Sequence, residues 1–137
     1  DSPVILEYLD SLAGGGKILP REGKARWDTL RLHATADGIM DAALLQVYEK
    51  RFRPEEHWVV KWTDYQAEKV TRALDVLEAA PPRLPATPDI GHIGLACALG
   101  YLDLRFEGKW RAKYPKLVAW LEDFAAKVPA LEKTKAH

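Results

Sequence analysis

The run of residues 90–104, Ile-Gly-His-Ile-Gly-Leu-Ala-Cys-Ala-Leu-Gly-Tyr-Leu-Asp-Leu, constrains the fold more than any other part of the chain. Ile93, Leu95, Ala96, Cys97, Ala98, Leu99, Tyr101 and Leu102 leave it no broad polar side. A segment apolar nearly all round must be enclosed by the rest of the protein. A buried strand is the rival reading of such a run. Its length and alanine content favour a helix. Gly91, Gly94 and Gly100 weigh against helix, yet they also let neighbouring helices approach closely. With 137 residues, the chain is long enough to build a core around it.

The flanking segments read as further helices. Residues 3–12 place Ile5, Leu9 and Leu12 on one apolar face, with Ser2 as the expected N-cap and Pro3 as the first helical residue. A helix of about ten residues is marginal alone and needs a partner surface. Ala13-Gly14-Gly15-Gly16 stops it, and residues 17–20 read as linker. No strand precedes these glycines and no Gly-Lys-Ser/Thr follows, which argues against a phosphate loop. A helical pattern runs from Glu22 to near Arg53-Pro54. One face carries Trp27, Leu30, Ala34, Asp37, Asp41, Leu44 and Tyr48; an adjacent one carries Leu32, Ala36, Ile39, Ala43 and Val47. At 1.5 Å per residue this spans ~45 Å, so it either kinks near Gly38 or serves a second subunit or domain. Residues 55–80 fit another long helix, with Val59, Trp62, Gln66, Val70, Ala73 and Leu77 on one face. Pro81-Pro82 ends it, and Thr87 followed by Pro88 predicts the cap of the apolar helix. A last helix covers residues 115–127, and the residues after Pro129 read as tail. No repeat or alternating strand pattern appears. The expected class is all-α: a bundle around one buried helix, with an N-terminal helix that belongs to another structure.

Twenty basic and twenty acidic residues give a formal charge of zero, which argues against a nucleic-acid or anionic-membrane partner. Trp58 and Trp62 sit one turn apart near Lys61 and Lys69, but Glu55, Glu56 and Asp64 interrupt any positive groove, so packing in the core or at an interface is their expected role. No run reaches the ~20 apolar residues of a membrane span, and cytoplasm is the expected location. Cys97 has no intrachain partner and reads as a small buried hydrophobe.

Asp37 and Asp41 lie four apart on a mainly apolar stripe, where an acid needs a partner. An arginine or a backbone donor at an interface would serve, and His33 precedes Asp37 by four. That pair supplies too few ligands for zinc, and no metal is expected. Met40 and Tyr48 read as packing residues. His92 follows Asp89 by three; paired as imidazolium, its pKa would rise.

Several stretches together resemble the glutathione transferase superfamily. Asp1-Ser2 with Ile5, Tyr8 and Leu9 is similar to the acid-serine motif near the end of that family's thioredoxin-like domain. Leu19-Pro20 is similar to its interdomain linker. Asp89-Ile90 running into Ala96-Cys97-Ala98-Leu99-Gly100-Tyr101-Leu102-Asp103, then Tyr114-Pro115 with Leu117 and Trp120, resembles the core of its C-terminal helical domain. The likeness is nearest to bacterial forms. It implies residues 1–13 as the last thioredoxin-like helix, 14–21 as linker and 22–137 as the helical domain. It further implies glutathione as co-substrate, with Asp1 and Ser2 at its γ-glutamyl carboxylate. Asp37, Met40, Asp41 and Tyr48 would face an apolar electrophile or the cleft of a homodimer. The thiol-activating residue of the family lies in a stretch this sequence does not include. Matching the family's capping box to Asp89 puts Ala86 at its Ser/Thr position, so either the helix starts one position later, at Thr87, or the box is incomplete. A non-catalytic protein-interaction module is the alternative function.

Overall fold

A computed structural model describes residues 1–135, and these form helices and connecting turns without a strand. The helices are α1 (Ser2–Leu12), α2 (Gly23–Phe52), α3 (Val60–Ala79), α4 (Ile90–Phe106), α5 (Pro115–Lys127) and a short α6 (Ala130–Lys133). Single 3₁₀ turns occupy Glu55–His57 and Lys109–Ala112.

The apolar run forms α4, and Leu95, Ala96, Ala98 and Leu99 are fully enclosed. Against it lies α2, unbroken through Gly38. The buried side of α2 is the stripe of Leu32, Ala36, Ile39 and Ala43; the stripe with Trp27, Ala34, Asp41 and Tyr48 faces outward. The two helices meet through small residues. A Cβ on Gly91 would sit 2.8 Å from the Thr29 carbonyl oxygen, and one on Gly94 3.3 Å from the His33 ring. Leu74, Leu77, Leu117, Trp120 and Phe124 of α3 and α5 close the core.

Three elements, α3, α4 and α6, differ from the sequence pattern. The expected helix 55–80 begins only at Val60, because the buried Glu49 of α2 accepts the Val59 N–H at 2.8 Å, with Trp58 extended and Val59 outside the helical conformation. Trp62 is exposed rather than part of the core, and the buried line of α3 is Gln66, Val70, Leu74 and Leu77. α4 is capped by Asp89, not Thr87: the Asp89 carboxylate takes the N–H groups of Gly91 and His92 and the Thr29 hydroxyl. A threonine two residues earlier cannot reach these donors. The segment after Pro129 is a helical turn, with Leu131 on the core, rather than a plain tail.

α1 stands apart. Val4, Ile5, Tyr8, Leu9 and Leu12 form an exposed apolar stripe. The helix is tethered by its one buried residue, Asp10, which accepts from the N–H groups of Gly16, Lys17 and Ile18 at 2.7–2.9 Å. The tether uses Gly14, Gly15 and Gly16 at positive φ, a conformation that glycine adopts without strain. Ile18 then accepts the N–H of Ile90, joining the linker to the start of α4. Arg26 of α2 adds an ion pair to Glu7.

Candidate functional site

The N-terminus of α1 is set by Asp1, whose carboxylate accepts the Ser2 N–H at 2.7 Å. Ser2 is therefore the first helical residue, not the cap. A carboxylate here is as good an acceptor as a hydroxyl and also complements the helix dipole. Asp1 uses the Ser2 N–H, its carbonyl takes the Ile5 N–H, and Pro3 has none. That leaves the Ser2 hydroxyl and the Val4 N–H, neither engaged among the described residues. Both residues are exposed. Such a pair of donors at a helix start can accept an anion.

The second group lies on α2. Asp37, Asp41 and Tyr48 fall within about 40° of one another around the helix axis. Asp37 is half-buried and paired with the buried His33, Nδ1 to Oδ2 at 3.2 Å, so its partner comes from its own helix. Asp41 is exposed and has no ion pair among the described residues. Met40 is turned partly inward against the core, while Tyr48 is exposed and meets Phe52 edge-on at 4.9 Å. The sequence face thus survives as an outward surface with one unpaired carboxylate and one exposed aromatic ring that leans on Phe52.

A cleft of about 480 Å³ between α4, α5 and α6 was not legible in the sequence. Cys97, Tyr101, Leu104, Leu121 and Leu131 line its apolar wall, with Asp103 and Arg111 at one side. Cys97 is exposed here, not buried as its apolar neighbours suggested. Protein packed around its sulfur pushes the thiol pKa up, so it is a thiol and not a thiolate at neutral pH. Asp103 accepts from Trp110 Nε1 at 2.9 Å and from two nitrogens of Arg111 at 2.8 and 2.6 Å. Arg111 is thereby occupied and offers little to an anion. None of the sequence-predicted site residues reaches this cleft.

A domain of helices enclosing one apolar helix, with a tethered apolar helix at its start, is the class the geometry defines. The family model for the glutathione S-transferase C-terminal domain matches residues 31–123, and the chain belongs to that family. The GST-like protein YibF of Escherichia coli K12 is 36% identical over 127 residues, covering 90% of this chain. The chain spans 62% of that relative's length. A glutathione transferase family member of Pseudomonas fluorescens Pf-5, solved with bound S-(propanoic acid)-glutathione, superposes with a TM-score of 0.89 at 43% identity. It is matched over 100% of this chain and 70% of its own. A glutathione S-transferase of Methylobacillus flagellatus KT, solved with glutathione bound, gives a TM-score of 0.82 at 32% identity over 91% of this chain and 64% of its own. No described helix is long and apolar enough to cross a membrane.

Proposed function

We propose that this chain is the helical part of a bacterial glutathione transferase that adds the glutathione thiol to apolar electrophiles, as a cytoplasmic homodimer. In this reading residues 1–13 are the last helix of a thioredoxin-like domain, 14–21 the linker and 22–137 the helical domain. The observation that carries it is the likeness, along the whole chain, to a transferase holding a glutathione derivative. The exposed stripe of α1 agrees, since it suits burial against a sheet. So does the greater length of the relatives.

The Ser2 hydroxyl and Val4 N–H would hold the γ-glutamyl carboxylate, with the charge of Asp1 set beside them. Because Asp37 is engaged by His33, Asp41 is the acid free to meet the glutathione amine across a dimer cleft. Met40 and Tyr48 would border the electrophile. The helical part contributes shape and burial; the group that activates the thiol is assigned to the preceding domain.

The test is calorimetric titration of the longer protein with glutathione, beside its Ser2→Ala variant. A lost hydrogen bond to a charged group is worth ~1.5–3 kcal/mol, so Kd is expected to rise roughly 10- to 150-fold. An unchanged Kd removes Ser2 from the site. Absence of binding by the unmutated protein favours the non-catalytic module.

A further inference from the structure

The ring of His92 lies where the start of α4, the proline-rich loop before it and α5 meet. Its Nδ1 is 2.7 Å from Asp89 Oδ1, and its Nε2 is 3.0 Å from the Arg83 carbonyl oxygen. The second partner can only accept. The first is held as an acceptor too, since the Asp89 carboxylate already receives Gly91 N–H, His92 N–H and the Thr29 hydroxyl. A neutral imidazole carries one N–H and can satisfy one of these oxygens; the imidazolium satisfies both. The Asp89 N–H also approaches Nδ1 at 3.4 Å and closes a reciprocal cap with the ring, but at that length it is much weaker than the 2.7 Å contact to Oδ1.

We propose that His92 is a pH-operated clamp that, as the imidazolium, ties the Arg83 carbonyl of the proline-rich loop to the cap of α4 and releases that carbonyl when it loses its proton, while Trp120 Nε1 keeps hold of the adjacent Pro82 carbonyl at 2.8 Å. The neutral ring keeps its proton on Nδ1, beside the carboxylate, and forfeits the Arg83 carbonyl. Ile90, next to the cap, also donates to Ile18, so the clamp sits at the seat of the linker that carries α1.

The groups facing the ring agree. From α4 comes Asp89; from the loop, the Arg83 carbonyl, with that residue's side chain exposed; from α2, the uncharged Thr29 bound to Asp89; from α5, the Trp120 indole stacked at 6.4 Å. Burial disfavours the charge on His92, but the bond and charge of Asp89 and the Arg83 carbonyl outweigh it and raise the pKa above 6.5. Burial likewise opposes the charge on Asp89, yet His92 and Thr29 hold its pKa below 3.8. A raised histidine stabilises fully below 6.5 and loses its effect as pH climbs through the folded value. The depressed Asp89 stabilises above 3.8 and fails as pH falls through its own. The clamp is strongest between those limits.

Nitrogen-15 NMR of the histidine rings from about pH 5 to 9.5 tests it, with His92→Gln assigning the signal. Both His92 nitrogens are expected to carry protons at about pH 6.5, with a midpoint above that value. Trp120 fluorescence should follow the same midpoint. Protection of the Gly91 and His92 amides, which Asp89 holds, is expected to fall by up to about tenfold per unit of that excess. His92→Gln should flatten the last two profiles. A neutral ring at about pH 6 overturns the proposal, as do fluorescence and exchange profiles that persist in His92→Gln. If the variant does not fold, the unmutated protein's ring titration decides alone.

Discussion

Gly91→Ala and Gly38→Ala are one substitution in two helices, with opposite expected signs. Alanine exceeds glycine in helix propensity by about 1 kcal/mol, less at the first turn where Gly91 sits. At Gly38 the new methyl meets nothing within 4 Å, so the propensity gain stands alone. Gly38→Ala is expected to stabilise by about 0.5–1 kcal/mol. At Gly91 the same methyl falls 2.8 Å from the Thr29 carbonyl oxygen, 3.0 Å from Leu32 Cβ and 3.2 Å from Asp89 Oδ1. The nearest atom is backbone and cannot rotate away. Relief to ordinary contact needs α2 to withdraw by about 0.6 Å, straining the Thr29–Asp89 hydrogen bond as well. Overpacking of this kind costs about 1–3 kcal/mol, which exceeds the propensity gain. Gly91→Ala is therefore expected to destabilise by about 1–2 kcal/mol. Urea unfolding with a common m value measures both. A Gly91→Ala protein as stable as the unmutated one would show that α2 and α4 do not meet this closely.

Asp89→Ala should cost about 1–3 kcal/mol, because it strands two first-turn N–H groups and the Thr29 hydroxyl. Thr87→Ala should stay within about 0.5 kcal/mol by the same unfolding assay. Gln66 is fully buried in α3 and neither of its amide atoms has a hydrogen-bond partner among the described residues, so Gln66→Met is expected to stabilise by about 1–2 kcal/mol. Asp10 has a lowered pKa, chiefly from the Ile18 N–H and also from Gly16 and Lys17, against the opposing effect of burial. Its contribution is present above 3.8 and lost as pH falls through the folded value. Asp10→Asn should flatten that part of the acid unfolding profile.

Much of the architecture was legible because its signals are local. The all-round apolar run had to be the central helix, and Pro54 had to end α2. The errors lie where a distant residue decides. Thr87-Pro88 is a strong local cap signal, but Asp89 prevails by also binding Thr29, sixty positions away. The start of α3 was hidden because Glu49 of α2 holds Val59. Cys97 sits in an apolar run, and only the placement of α5 and α6 leaves its side open. The candidate face on α2 was visible as acids on an apolar stripe, and pairing with His33 was readable from spacing alone. That Asp41 finds no ion pair among the described residues depends on what packs nearby, which spacing does not show.

The most direct measurement is a glutathione titration of the longer protein followed residue by residue by amide NMR. The expected result is a cluster of shifts at Ser2 and Val4, with smaller ones along Asp37, Asp41 and Tyr48. Shifts confined to the Cys97 and Tyr101 cleft, or none at saturating glutathione, would contradict the assignment of this chain's site.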